Sequence, residues 1–360
     1  MVLCVDFRGA RAVCQWQTRP ARGAISPFVV DTRRPYGHGE HGSPCSIYPG
    51  GGVLDVQFSY NVSSFIVCVH RMRTKETMSL LPKFLDRLPT SLASRAFGFV
   101  SDVEFASPVQ RVVNSAFAHL AHINVSEAEH PVSSYRSLNA LFTRRLRPDV
   151  RTVAPGALVS PVDGRLSHLG VASHGTTVEA KGHPYRLEEL LAVTDGEPWF
   201  EDAYVFTIYL SPSDYHHIHA PMGGRVVSMS YAPGRLLPVN RLGYLLADDL
   251  LPANERLTSF VVDARGHRVA VVKVGATCVG RISVEYDDFR TNAGRLRQGF
   301  FRELPTPYAV EAGDPLGCFE LGSTVVLVVE RRDFVPEVGL ECGQRMRYGQ
   351  ALGRWESDPA

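Results

Sequence analysis

Phe319-Glu320-Leu321-Gly322-Ser323-Thr324, followed at once by Val325-Val326-Leu327-Val328-Val329, is the stretch around which this chain is organised. The five-residue aliphatic run is too short for an ordinary helix and predicts a fully buried strand. At its mouth, Gly322-Ser323 sets a hydroxyl beside a peptide bond with little side-chain cover. Glycine also reaches backbone conformations closed to other residues. Such a hydroxyl can attack the preceding carbonyl, given a base to take its proton and strain to relieve. Taken alone, Gly-Ser-Thr is ordinary loop punctuation, and a tight turn before a core strand is the simpler reading.

The surrounding residues set the fold class. After Pro148 the pattern is one of short strands broken by Gly, Pro and Asp: 204–210, 225–230, 260–263, 269–274 and 325–329. Closely spaced strands with few helical stretches predict a mainly antiparallel β core. No Gly-x-Gly-x-x-Gly follows a strand, so a dinucleotide fold has no support. Before Pro148 the period is helical. Leu81, Phe84, Leu85 and Leu88 predict one helix, continued past Pro89 toward Val100. A second begins at Ser107-Pro108, with Ser as cap and Pro in the first turn, and carries Val109, Val112, Val113, Ala116, Phe117 and Leu120. A third is predicted over 134–146, ended by Pro148. The fold class read from the sequence is therefore α+β, N-terminal helices followed by a mainly antiparallel β core. Residues 1–77, rich in Gly, Pro and Arg, receive no fold; a disordered leader and a mis-set start both fit. Residues 78–150 form a helical segment, and 151–360 the β-rich domain.

Composition bounds the function. With 360 residues, 44% hydrophobic content and a formal charge of +1, the chain is a folded protein without a chain-wide basic field, so nucleic acid is excluded as a partner. No apolar run reaches the ~18 residues that a spanning helix needs. Asp6 falls where a signal peptide would continue its apolar region, so the chain reads as neither secreted nor membrane-spanning. The seven cysteines include no Cys-x-x-Cys pair, and an odd count suits free thiols in a reducing compartment. The helical stripes suit either the protein's own core or a membrane interface, with Lys83, Arg87, Arg95 and Arg111 near the headgroups.

Two further stretches carry chemistry. Ser160-Pro161-Val162-Asp163-Gly164-Arg165 predicts a turn with Asp163 at its tip. Ser211-Pro212-Ser213-Asp214-Tyr215-His216-His217-Ile218-His219 has the make-up of a capped helical start, which would put His216 and His219 on one face and turn His217 away. The histidines invite a metal, but no matching Cys or acid cluster lies nearby, and no metal is expected. An Asp, a His and a Ser in this order are the equipment for activating a hydroxyl. A hydrolase would usually set its Ser in an exposed Gly-x-Ser-x-Gly elbow, whereas Ser323 enters a buried strand and suits a self-directed reaction.

These residues are also where the chain resembles the phosphatidylserine decarboxylases, self-processing pyruvoyl enzymes of bacterial type. The resemblance rests on Ser211-Pro212-x-Asp214-Tyr215-His216-x-x-His219-x-Pro221, Pro161-x-Asp163-Gly164 and Leu321-Gly322-Ser323-Thr324, in that order. It extends through Tyr135-x-Ser137-Leu138-Asn139-x-Leu141-Phe142-x-Arg144, Lys181-Gly182-His183-x-Tyr185, Asn254-Glu255-Arg256 and Val274-Gly275-Ala276-x-x-Val279-Gly280. It covers roughly 78–353. What the resemblance implies is cleavage between Gly322 and Ser323, with Ser323 becoming a covalent pyruvoyl cofactor. His219 would act as base with Asp163 orienting it; His216, Tyr215 and Tyr209 would touch substrate; Arg144, Arg145 and Arg147 would meet lipid phosphate. A Schiff base between the pyruvoyl group and phosphatidylserine would then lose carbon dioxide to give phosphatidylethanolamine. The resemblance further implies α and β chains from one precursor, a homodimer, and a peripheral place on the cytoplasmic side of the cell membrane. Two rival readings are a Ser-His-Asp lipid ester hydrolase that keeps Ser323 intact, and a non-enzymatic membrane-surface binding module.

Overall fold

A computed structural model of the chain describes residues 98–173, 178–180, 183–193, 199–239, 249–277, 281–292, 298–320 and 324–356, together with short strands within 2–56. The chain divides into two compact units, Met1–Met78 and Ser79–Ala360. In the first, Val2–Arg8, Arg11–Gln17 and Phe28–Asp31 pair as a three-stranded antiparallel sheet, and Cys45–Ile47 pairs with Leu54–Val56.

The second unit is built on an eight-stranded antiparallel sheet. Its strands are β1 (Gly164–Ser173), β2 (Asp202–Tyr209), β4 (Gly224–Ala232), β5 (Arg256–Val262), β6 (Arg268–Val274), β9 (Phe300–Val310), β11 (Thr324–Glu330) and β12 (Arg345–Met346). They run in the order β9-β4-β5-β6-β11-β2-β1-β12. A four-stranded sheet orders β3 (His217–His219), β10 (Pro315–Glu320), β7 (Arg281–Val284) and β8 (Asp287–Arg290). The α+β expectation holds: the helices lie on the N-terminal side and the core is antiparallel.

The aliphatic run decides the centre of this arrangement. β11 is hydrogen-bonded to β6 on one side and β2 on the other, and every residue from Thr324 to Val329 is fully buried. Each of its buried aliphatic side chains contributes roughly 1.5–3 kcal/mol relative to exposure, so this strand is among the most firmly held in the molecule. Lys273 lies in register with Val325 and is itself fully buried. Its Nζ donates to Ser259 Oγ at 2.5 Å, and Ser259 Oγ shares a further hydrogen bond with the Tyr286 hydroxyl. Burial pushes Lys273 down to about 7 from an ordinary 10.5, with no counter-charge among the described residues to repay its desolvation. Between those two values the unfolded chain binds the extra proton, so this group makes stability rise with pH there.

The helical segment departs from expectation in two places. The second predicted helix exists as α1 (Ser107–Leu120), but Ala106 is its N-cap and no side chain caps it. The third is far shorter than 134–146: a 3-10 turn at Val132–Ser134, then α2 (Leu138–Phe142), with the Ser137 hydroxyl accepting from Ala140 N. Tyr135 and Ser137 are extended, so the chain cannot run helically between the two pieces. The first predicted helix lies outside the described residues up to 97, and residues 98–102 are helical.

The buried face of α1 mixes Gln110 and Asn114 with Ala118, Phe117 packs beside it, and Val109 and Val112 stand exposed. The buried amides are fully employed: Gln110 Nε2 donates to Asn114 Oδ1 at 2.8 Å, and Asn114 Nδ2 donates to Tyr135 O at 2.9 Å. Phe99, at 76% exposure, Val100 and Phe105 extend the apolar surface just before α1. No helix among the described residues is long and apolar enough to cross a membrane.

Candidate active site

The four-stranded sheet delivers the site. β10 ends at Glu320 and β11 begins at Thr324, so across three residues the chain passes from one sheet to the other. Leu321, Gly322 and Ser323 lie outside the described residues. β3 pairs with β10, setting His219 opposite Pro315 and His217 opposite Cys318. Tyr209, at the end of β2, stands directly across from Thr324.

The histidine segment is a strand, which corrects the expected helical turn. Ser211 and Asp214, read as a helix start, instead close a tight turn: Ser211 N and Oγ both donate to Asp214 Oδ2, at 2.7 and 2.6 Å. Pairing with β10 then extends the chain through 217–219. With period two, Tyr215, His217 and His219 share a face and His216 takes the other. The ring contacts agree: Tyr215 stacks with His217 at 5.2 Å and approaches His219 at 5.7 Å.

His219 is held on all sides. Its Nδ1–H donates to Gly313 O at 2.7 Å, which leaves Nε2 as the unprotonated nitrogen of the neutral ring. Nε2 lies 3.3 Å from the Tyr215 hydroxyl, and Tyr348 stacks on the imidazole at 3.9 Å with only 6° between the planes. Gly313 has φ +89°, and a Cβ there would come within 2.5 Å of Val153, so the carbonyl that fixes this tautomer depends on glycine. Burial pushes His219 down to about 4, against a smaller upward pull from the Gly313 carbonyl. The ring is therefore an unprotonated base at neutral pH.

Asp163 is buried, not displayed at a turn tip. Gly164 follows it because a Cβ there would meet Tyr209 O at 2.6 Å. The Asp163 carboxylate is paired with Arg151, whose Nε donates to Oδ1 at 3.1 Å and whose Nη2 reaches Oδ2. Oδ1 also accepts from Tyr348 N at 2.9 Å. Both His219 ring nitrogens are engaged elsewhere, so no hydrogen bond joins Asp163 to His219. The carboxylate acts on the imidazole through space and by anchoring Tyr348. Arg151, Gly313 and Tyr348 are site residues the sequence reading missed, and no spacing in the sequence marks them.

The remaining expected residues divide. His216 is fully buried with its ring 3.9 Å from Phe142, and burial pushes it down to about 3 against a smaller upward pull from the Asp214 backbone. Tyr215 and Tyr209 line the region, both raised by burial. Arg144 is corrected: it is buried, and its Nη2 donates to Ser213 O at 3.0 Å and Asp214 O at 3.2 Å, bracing the turn before β3. Arg145 and Arg147 are exposed. Among the described residues no group of three His, Cys, Asp or Glu side chains is placed to hold a metal ion.

Comparison with known proteins places this arrangement. A family profile described as phosphatidylserine decarboxylase matches residues 138–354. The chain is 41% identical over 278 residues to the phosphatidylserine decarboxylase proenzyme of Brevibacillus brevis, covering 76% of this chain and 97% of the relative. It is 38% identical over 274 residues to the corresponding proenzyme of Myxococcus xanthus, covering 75% and 96%. A Helicobacter pylori proenzyme is 33% identical over 268 residues, covering 74% and 97%. With the profile spanning both the β3 histidines and the 320–324 junction, and relatives of 33–41% identity covered almost end to end, the chain belongs to the phosphatidylserine decarboxylase family.

Proposed function

We propose that this chain is a self-processing precursor that cuts itself between Gly322 and Ser323 and then decarboxylates phosphatidylserine at a membrane surface. The observation that carries the reading is His219, an unprotonated, buried base on the strand hydrogen-bonded to β10, whose continuation is the Gly322–Ser323 bond. In the cut, Ser323 Oγ gives up its proton and attacks the Gly322 carbonyl carbon. The Gly322–Ser323 C–N bond breaks and an ester replaces it. Loss of the Ser323 Cα proton expels the Gly322 carboxylate and leaves a dehydroalanine, which takes up water and releases ammonia to become the pyruvoyl group. His219 Nε2, unprotonated and 3.3 Å from the Tyr215 hydroxyl, is the nitrogen that would accept the first proton.

The surroundings fit such a group. Thr324 Oγ1 is buried without a hydrogen-bond partner, and Tyr209 stands across from it. When present, the group supplies a ketone that takes a primary amine and withdraws electrons from the carbon losing carbon dioxide. The protein's part is to exclude water and hold donors near that carbon. Tyr215, whose hydroxyl burial keeps protonated, is the donor beside His219 that would serve this.

The two products remain one folded unit. The small α chain, 323–360, contributes β11 to the centre of the large sheet, β12 against β1, and Ala351–Trp355 against Leu158–Val159. The strands named opposite these belong to the large β chain, 1–322, while Ala351–Trp355 also pairs with Phe334–Pro336 inside the small one. The site is composite in the same way, since Tyr348 of the small chain packs on His219 of the large one.

The apolar residues that α1 leaves exposed support a lipid substrate. A helix that satisfies its amides inward and presents Val109 and Val112 outward, beside Phe99 and Phe105, suits the headgroup–acyl boundary, where a diacyl substrate is met. Intact-mass spectrometry of the purified full chain tests the reading. Two chains divided between 322 and 323, the smaller bearing a carbonyl-reactive N-terminus, are expected. A single chain with an unmodified Ser323 that nevertheless hydrolyses lipid esters would overturn it in favour of the hydrolase.

Tyr348 offers a finer check. Tyr348→Leu removes the aromatic face that holds the imidazole and is expected to slow the cut by about tenfold, in line with the loss of roughly one aromatic contact. Tyr348→Phe keeps the face and is expected to cut at the parental rate. Equal slowing in both variants, followed by gel densitometry, would transfer the role to the hydroxyl.

A further inference from the structure

Behind Asp163 stands a second carboxylate to which the cut, as derived above, gives no part. Glu127 closes the 3-10 turn Val125–Glu127, in the segment that follows α1. The turn is fixed locally: Asn124 Oδ1 accepts from Ser126 N at 3.3 Å, and Glu127 O accepts from Arg147 N at 3.0 Å. From there the side chain reaches Arg151, whose Nη2 donates to Glu127 Oε2 at 2.8 Å and also to Asp163 Oδ2. The other donors of that guanidinium go to Asp163 Oδ1 at 3.1 Å and Val150 O at 2.9 Å. The Arg151 side chain is 4% exposed, so water screens this cluster little.

The charges do not balance. One guanidinium faces two carboxylates. Arg347 lies 4.0 Å from Glu127 but is 61% exposed, and so solvated a pair cancels little. Arg144 also faces Asp163 and Glu127, with Asp214 beside it to balance it. Burial works against ionisation of Glu127, yet Arg151 holds its carboxyl below the usual range, so the charge is present at neutral pH. An arginine bound to a single carboxylate would nearly cancel that carboxylate at a distance. With Glu127 also on Arg151, the charge of Asp163 still acts beyond the pair. His219 is where it acts: Asp163 pulls the imidazole upward through space, while His217 and Arg145 push it down. The ring must become a cation when Nε2 takes a proton, and in a buried site that cation needs an opposite charge. The same cluster sets the ring's position, since Asp163 Oδ1 accepts from Tyr348 N and Tyr348 stacks on the imidazole.

We propose that Glu127 is a positioning residue for the cut: by engaging Arg151 it leaves the cluster one negative charge in excess, which stabilises the His219 imidazolium as Nε2 takes the Ser323 proton. The assignment rests on the reading of His219 as that base. It gives the 125–127 turn, which carries no reacting group, a part in setting the rate.

Two variants of the full chain separate charge from bracing. Glu127→Gln keeps an oxygen for Arg151 and removes the charge, whereas Glu127→Asp keeps the charge and draws the oxygens back by one methylene. In cell-free synthesis followed by gel densitometry, Glu127→Gln is expected to cut roughly three- to tenfold slower, the effect of up to one pKa unit on a general base. Glu127→Asp is expected to cut within about twofold of the parent, because a charge acts at a distance that a hydrogen bond does not. Slow cutting in Glu127→Asp with a parental rate in Glu127→Gln would make Glu127 a brace and overturn the proposal. Equal rates in both variants, parental or slowed, would overturn it too. A second measurement needs no cut. In the full-length Ser323→Ala chain, the imidazole ¹⁵N shifts report how much of His219 is protonated at pH 5, about one tenth for a group at about 4. Adding Glu127→Gln is expected to lower that fraction several-fold and adding Glu127→Asp to retain it; no change in either would overturn the proposal. The two readings fail separately. A chain that never cuts, yet loses His219 protonation with Glu127→Gln, refutes only the decarboxylase reading. A chain that cuts at the parental rate in both variants refutes only the role of Glu127.

Discussion

Replacing Ser323 with alanine is expected to leave a single 360-residue chain with no decarboxylase activity. The expectation follows from the attack itself: without Oγ no ester forms, the Gly322–Ser323 bond stays an amide, and no carbonyl group arises at 323. The effect should be a complete loss, because every later step needs that group. The fold should survive. β11 begins at Thr324, is held by β6 and β2, and owes its burial to Val325–Val329. Circular dichroism and the melting temperature of the variant should therefore match those of the uncut parent, while denaturing gels show one band. A Ser323→Ala protein that still yields two chains would place the cut elsewhere, and one that stays whole yet decarboxylates would remove Ser323 from the chemistry.

How far the sequence discloses this architecture depends on whether the deciding contact is local. β11 was legible because five consecutive aliphatics have few ways to be buried, and β6 for the same reason in Val269–Val274. α1 was legible in extent from its apolar spacing and Pro108. Its inward face was not, because that face is chosen by the Tyr135 and Val132 carbonyls that Asn114 meets some twenty residues away. The 211–219 segment was misread for a related reason. Ser211, Pro212 and Asp214 have the same composition in a tight turn as in a helix cap, and only pairing with Cys318 and Gly317 makes 217–219 a strand. Arg144 closes a predicted helix on paper. In the fold its guanidinium braces carbonyls about seventy residues further on. Tyr348 and Arg151 carry no motif at all, since their roles come from packing against His219 and Asp163.

His219→Ala is expected to slow self-cleavage by ~10²–10⁴-fold, the usual contribution of a positioned general base. Its pH dependence separates a buried base from an ordinary one. A surface histidine near 6.5 would make the cutting rate fall as pH drops below neutrality. With burial holding His219 at about 4, the rate should stay level from pH 8 down to about 5 and fall only beyond. The same shift has a stability consequence of known sign. Between about 4 and 6.5 the unfolded chain binds a proton that the native His219 refuses, so native stability declines as pH falls through that window. His216, at about 3, adds to the decline in the same direction. The rate must therefore be read on protein shown to be folded at each pH. Asp163→Asn supplies the contrast. It leaves the imidazole in place and keeps an oxygen for Tyr348 N, but removes the charge that Arg151 faces in a buried pair. Breaking such a pair costs about 3–5 kcal/mol, so this variant should lose thermal stability along with cleavage, whereas His219→Ala should lose cleavage with the smaller stability change. Normal cutting in His219→Ala would remove it from the base role. A rate that instead falls with a midpoint near 6.5 would mean that the imidazole is solvated when it acts.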